Sequence, residues 1–178
     1  MERIPILSRA LDAVQAVALA VGILMMVAMA VLMNTEIASR TLFGFSTQVS
    51  DEFAGYFFTV STLLCFLPAL RGGRFLAVEG FVVQLPMRAR ALCEIGAAAV
   101  GAVVCAVLTS ATYDLAAASY AFGTQSLQAS ETPLFLPQAI MPVGFGLLAV
   151  AFLERGVIRA VGLWRGKPPE SEANYAVD

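Results

Sequence analysis

Four stretches of this chain run for 18 to 22 residues without a charged side chain: Ala13–Met33, Phe53–Leu70, Ile95–Tyr113 and Thr132–Leu153. A helix needs about 20 mostly apolar residues to cross the hydrocarbon core of a bilayer. It is the element suited to that setting because it bonds its own backbone N–H and C=O groups. The fold class this predicts is all-α, an integral membrane protein with four transmembrane helices. Composition agrees: 59% of the 178 residues are hydrophobic and 13% are charged, against about a quarter charged in soluble domains. The spans are expected at about 11–35, 51–70, 92–115 and 133–160. They make one membrane domain over 1–166, followed by a polar tail at 167–178.

The first run resembles a secretory leader, with Arg3 and Arg9 ahead of it and Ala28-Met29-Ala30 as a cleavage-like triplet. A leader's apolar region is about 7–15 residues, whereas this one continues past that triplet, so it reads as an uncleaved span. Arginine and lysine then set the direction. Arg3, Arg9, Arg71, Arg74, Arg88, Arg90, Arg155, Arg159, Arg165 and Lys167 all fall on one side if four spans alternate. Only Arg40 falls on the other, with Glu36, Asp51, Glu52, Asp114 and Glu131. Both termini are therefore expected in the cytoplasm, with segments 34–52 and 114–131 facing outward.

The uncharged interiors bear on function. Intramembrane ionisable residues commonly mark ion paths and proton relays, and these four runs contain none. Thr59, Ser61 and Thr62 are the polar groups of the second run, and hydroxyls of this kind usually bond back to their own helix. Histidine is absent, and Cys65, Cys93 and Cys105 form no CxxC pair. No catalytic, metal or cofactor constellation can be assembled, so an enzyme is not expected. Gly72-Gly73 lacks the rest of a phosphate-binding loop.

The segments between the runs carry local signals. Glu36 and Arg40 form an i,i+4 pair, and Gly44 suits a helix end, so the first helix is expected to extend toward Phe43. The competing reading breaks it near Asn34. Ser50 reads as an N-cap with Asp51 and Glu52 in the first turn, where negative charge meets the helix dipole. Arg40 is close enough in sequence to offset one of these acids. The competing reading makes the two acids a surface for an external partner. Arg71 and Gly72 suit a helix end, with Gly72 in a left-handed cap. FLAVEGFVVQLP, too short to span, has room for a short interfacial helix between spans 2 and 3. Ala97, Gly101 and Cys105 stand at four-residue spacing, as do Ala98 and Ala102, which lets helices approach closely within the chain or against another subunit. Thr132 with Pro133 reads as a helix start. Pro137 and Pro142 then predict a kink, or a start near Pro137.

In order, "NTEIASRTLFG", "DEFAGYFF", "LRGGRFLAVEGF", "LPMRARAL" and "YDLAAASYAFGTQSLQASETPLFLPQAIMPVGFGLL" resemble the small DctQ-type membrane subunit of tripartite ATP-independent periplasmic (TRAP) transporters. The resemblance covers about residues 11–162. The chain departs from the family's habit at Gln48 and Val49, where tryptophan is common, at Arg74 for histidine and at Phe135 for tryptophan. The resemblance implies an accessory role in the bacterial inner membrane. A periplasmic binding protein (DctP-type) would deliver an organic acid or similar solute to a large sodium-coupled subunit (DctM-type), which this chain would brace. It casts Asp51, Glu52, Gln125, Ser126 and Glu131 as an outer docking surface. Glu36, Arg40, Arg71, Gly72, Gly73 and Arg74 become contacts to the large subunit or to lipid. No nucleic-acid partner is implied. Two rivals stand beside this reading: a homo-oligomeric four-helix carrier or channel, and an assembly factor of another membrane complex.

Overall fold

The computed structural model describes residues 5–46, 49–72, 86–128 and 130–164, with backbone alone for 5–10 and 87. Gly73, Arg74, the FLAVEGF stretch with its expected interfacial helix, Gln48 and the tail lie outside the described residues. Four helices make up the fold: α1 (Pro5–Phe43), α2 (Ser50–Arg71), α3 (Met87–Ala121) and α4 (Phe135–Trp164). Each is long and apolar enough to cross a membrane. Apart from an isolated bridge between Gln125 and Pro133, the described residues contain no β-structure.

Helix α1 is continuous through Asn34, whose amide nitrogen bonds back to the Ala30 carbonyl at 2.7 Å. At 1.5 Å per residue its 39 residues reach about 58 Å, well beyond a hydrocarbon core of about 30 Å. It ends at Gly44, whose φ of 64° is the left-handed geometry that favours glycine. Three local expectations are corrected. Ser50 is the first helical residue of α2 and not its cap; the cap position is Val49, with no side-chain cap bond. Gly72 has φ −76° and is not left-handed; its N–H reaches the Pro68 carbonyl at 2.9 Å. Thr132 and Pro133 do not open α4, because the backbone there is held in a turn. Ser126 N–H bonds the Thr132 carbonyl at 2.9 Å and Leu134 N–H bonds the Thr124 carbonyl at 3.0 Å. The helix starts at Phe135. Pro137 thus sits in its first turn, where a missing N–H costs nothing, and Pro142 sits inside it.

The helices pack in the order α1–α2–α4–α3, each chiefly against its neighbour in that row. A small core joins them, built from Ala18, Leu64, Leu67, Leu70, Cys105, Leu148 and Ala151. Small residues set the spacing. A Cβ on Gly22 would lie 2.6 Å from Cys65 Sγ, one on Gly144 2.9 Å from Leu63 Cβ, and one on Gly101 2.8 Å from the Phe152 ring. Each interface in the row thus has a glycine where an added Cβ would be crowded. Ala98, Ala102 and Cys105 form the buried stripe of α3, whereas Ala97 is exposed. Helix α2, inside the row, buries a third of its most apolar window; α1, at the edge, buries 11%. Val17, Ile23, Leu24, Val27 and Val31 on α1 are left open, as are Val100, Val103 and Val107 on α3. Such faces suit lipid or another membrane subunit.

Candidate functional site

The charged side chains of the described residues gather in two layers, one at each end of the helices. At one end, Glu36 of α1 is buried, with 6% of its surface exposed. It accepts hydrogen bonds from Arg40 Nη2 at 3.3 Å, Ser46 Oγ at 2.7 Å and Ser50 Oγ at 3.1 Å. Arg40 Nη2 also donates to Ser46 Oγ at 3.1 Å. This explains why Ser50 is not a cap: its hydroxyl is used to tie α2 to α1. The expected Glu36–Arg40 pair is present, as the inner part of a larger knot.

Glu52 lies at the same end in the first turn of α2 and is also buried, at 7% exposure. Its carboxylate accepts from the Tyr56 hydroxyl one turn on and from Ser130 Oγ in the α3–α4 loop. That loop is further stapled by Thr132 Oγ1 donating to Ser130 Oγ at 2.9 Å and Gln128 N–H donating to Ser126 Oγ at 3.2 Å. Glu131 adopts φ 47°, the one described non-glycine residue with positive φ. Around this clasp Gln125 and Glu131 are exposed and Ser126 is half-buried. Phe122 and Leu127 project openly. Tyr120 meets Phe135 edge to face at 5.3 Å, fixing the start of α4 against the end of α3. Asp51 is exposed and lines a cavity with Arg40. The adjacent acids thus differ: Glu52 points into the clasp and Asp51 toward the open surface.

At the opposite end Arg71 joins three helices. Its guanidinium donates from Nε to Glu154 Oε2 at 3.0 Å and from Nη2 to Glu154 Oε1 at 3.3 Å. Its Nη1 donates to Asp12 Oδ1 at 2.8 Å and to Gln15 Oε1 at 2.9 Å. Arg71 and Glu154 are nearly buried, at 9% and 7% side-chain exposure. Beside this hub, Glu94 of α3 is flanked by Arg159 of α4 at 3.0 Å and Arg90 at 3.8 Å. The buried bidentate Arg71–Glu154 pair gives geometric specificity as well as attraction.

Glu154, Asp12, Gln15, Glu94 and Ser130 were not singled out by the sequence reading. A signal for most of them was present. Asp12, Arg71, Glu94 and Glu154 are each the charged residue bordering an uncharged run, all at the same end. Equal depth on neighbouring helices makes them natural partners. Ser130 carries no comparable signal. Within the spans, Thr59 and Thr109 donate to the Gly55 and Cys105 carbonyls of their own helices. Those hydroxyls are satisfied locally. Among the described residues no three His, Cys, Asp or Glu side chains gather as a metal site would.

A row of four membrane-length helices, charged only near the helix ends and apolar along its flanks, defines an integral membrane protein built to pack beside lipid or other membrane chains. The family model described as tripartite ATP-independent periplasmic transporters, DctQ component, matches residues 29–162, three-quarters of the sequence. This chain belongs to that family, the small membrane component of TRAP transporters. A search of curated proteins found no match.

Proposed function

We propose that this chain is the non-transporting partner in a solute importer, holding the static part of a large DctM-type subunit while that subunit moves its cargo. The cargo is an organic acid or similar small solute delivered by a DctP-type binding protein, and the driving force is a sodium gradient. The observation that carries this reading is the distribution of polarity: four charge-free spans, with every described ion pair gathered at their ends. A carrier needs groups that coordinate its cargo at mid-membrane depth; a brace needs stiffness and an apolar flank. The arrangement favours the brace.

On the orientation set by arginine and lysine, both termini are cytoplasmic and the Glu52 end faces the periplasm of the inner membrane. Asp51, Gln125, Ser126 and Glu131 then form the surface offered to the binding protein. Glu52 acts as a positioning residue, since its carboxylate is committed to Ser130 and Tyr56. Arg71, with Gly72, stays at the cytoplasmic boundary and holds α1, α2 and α4 in line.

The test is purification of the tagged full chain from native membranes in mild detergent, with mass spectrometry of its companions. A stoichiometric large multispan protein is the expected result. Recovery of this chain alone as a defined homo-oligomer, under conditions that preserve other membrane complexes, would replace the brace with a self-assembling carrier.

A further inference from the structure

A cavity of about 140 Å³ opens between α1 and the start of α2, lined by Met33, Glu36, Ile37, Arg40, Thr41 and Asp51. Its position is informative. Met33 closes the first uncharged run and Asp51 stands two residues before the second, so the cavity straddles the level where apolar spans give way to charge. Its walls change in the same sense, from Met33 and Ile37 to Arg40, Thr41 and Asp51.

The charges are only partly used. Glu36 is saturated by Arg40, Ser46 and Ser50. Arg40 spends Nη2 on Glu36 and Ser46, and its Nη1 and Nε make no bond among the described residues. Arg40 is 64% exposed. The Asp51 carboxylate likewise has no partner among the described residues. Open guanidinium donors and one open carboxylate therefore share a small cavity at the boundary of a membrane protein. The cavity opens onto apolar side chains at this boundary, the setting of a lipid headgroup rather than of a cargo site at mid-membrane depth.

We propose that this cavity binds the headgroup of a zwitterionic aminophospholipid. The phosphate accepts a charge-assisted hydrogen bond from Arg40 Nη1, which is left free by the Glu36 and Ser46 bonds to Nη2. The primary ammonium donates to Asp51, Thr41 stands at the rim, and the acyl chains run down beside Met33 and Ile37. The charge order matches the ligand: cation for phosphate, anion for amine, apolar wall for chain. The assignment does not depend on the transporter reading, because it uses this chain's own residues and holds for either orientation in the membrane.

The probe is dioleoyl phosphatidylethanolamine, compared with the phosphatidylcholine and phosphatidylglycerol of the same chains. Each is titrated in detergent into the full chain, purified with its companions, and read by native mass spectrometry. Phosphatidylethanolamine is expected to bind one per chain in preference to both. Choline lacks N–H donors for Asp51, and the glycerol headgroup lacks the cation. Asp51→Asn should weaken phosphatidylethanolamine by roughly tenfold, the weight of one charge-assisted hydrogen bond, and erase its preference over phosphatidylcholine. Asp51→Glu should retain the preference, and Arg40→Gln should weaken all three lipids. Asp51 and Arg40 are exposed, and in Arg40→Gln the buried Glu36 keeps its hydrogen bonds from Ser46 and Ser50, so the variants are expected to insert and fold. Equal binding of the three lipids, or unchanged discrimination in Asp51→Asn, would overturn the proposal. So would loss of a copurifying membrane protein in Asp51→Asn with lipid binding intact, since a protein would then occupy the cavity.

Discussion

Replacing Arg71 of α2 with alanine removes a side chain that is bonded to both α1 and α4. It takes away two hydrogen bonds to Glu154, one to Asp12 and one to Gln15. The contributions are unequal. Asp12 is 47% exposed, and an ion pair to so open a partner contributes about 0–1 kcal/mol. Glu154 is nearly buried and is left as an uncompensated charge, which costs about 3–5 kcal/mol. The expected loss is dominated by Glu154 and corresponds to roughly a hundred- to a few-thousand-fold shift in the unfolding equilibrium. Reversible unfolding of the full chain in mixed micelles measures it. The physical cause is separable from the loss of packing. Arg71→Met combined with Glu154→Leu leaves no buried charge and should recover much of the stability, whereas Arg71→Ala alone should not. Arg71→Lys, which keeps the charge and loses the fork, should fall between. The reasoning is refuted if Arg71→Ala lies within about 1 kcal/mol of the parent, or if the double substitution is no better than the single one.

Other consequences follow from the packing and the loop. Gly144→Ala should destabilise by about 1–3 kcal/mol, because its Cβ would meet Leu63 Cβ at 2.9 Å and that atom cannot swing aside. Gly55→Ala, with open space around it, should be neutral or gain up to about 1 kcal/mol from helix propensity; the same unfolding assay compares the two. Glu52→Gln should loosen the α3–α4 loop without unfolding the helices. Hydrogen exchange should quicken at the Ser126 and Leu134 amides and stay slow across the α2–α4 contact. In the assembled transporter, Asp51→Asn with Glu52→Gln should leave insertion intact and lower uptake at limiting binding protein. Unchanged uptake would remove both acids from the docking surface, leaving Glu52 to the loop and Asp51 to the cavity beside Arg40.

The spans were legible in the sequence because an apolar run of bilayer length has few alternative fates. Glu36 with Arg40 was legible because helix spacing alone brings those residues together. What escaped the reading depended on contacts between segments. Ser50, Gly72 and Thr132 each carry a sound local signal for a helix terminus, and each is redirected: Ser50 by Glu36, Gly72 by its bond to the Pro68 carbonyl, and Thr132 by the bridge between Gln125 and Pro133. The small-residue spacing on α3 was visible, but the packed face is set by Phe152 and Gly156 on α4, which choose Ala98 over Ala97. Glu52 was singled out for its charge, yet its burial depends on Ser130, 78 residues away. The hub around Arg71 was the most recoverable omission, since its members border their runs at one depth.

Uptake into proteoliposomes addresses the central claim most directly. The large membrane subunit and this chain would be reconstituted separately and together, with the purified binding protein, its bound solute and an inward sodium gradient. Accumulation only when both membrane chains are present, and none with this chain alone, is the predicted result. Solute accumulation by this chain alone, or full uptake by the large subunit without it, would contradict the account.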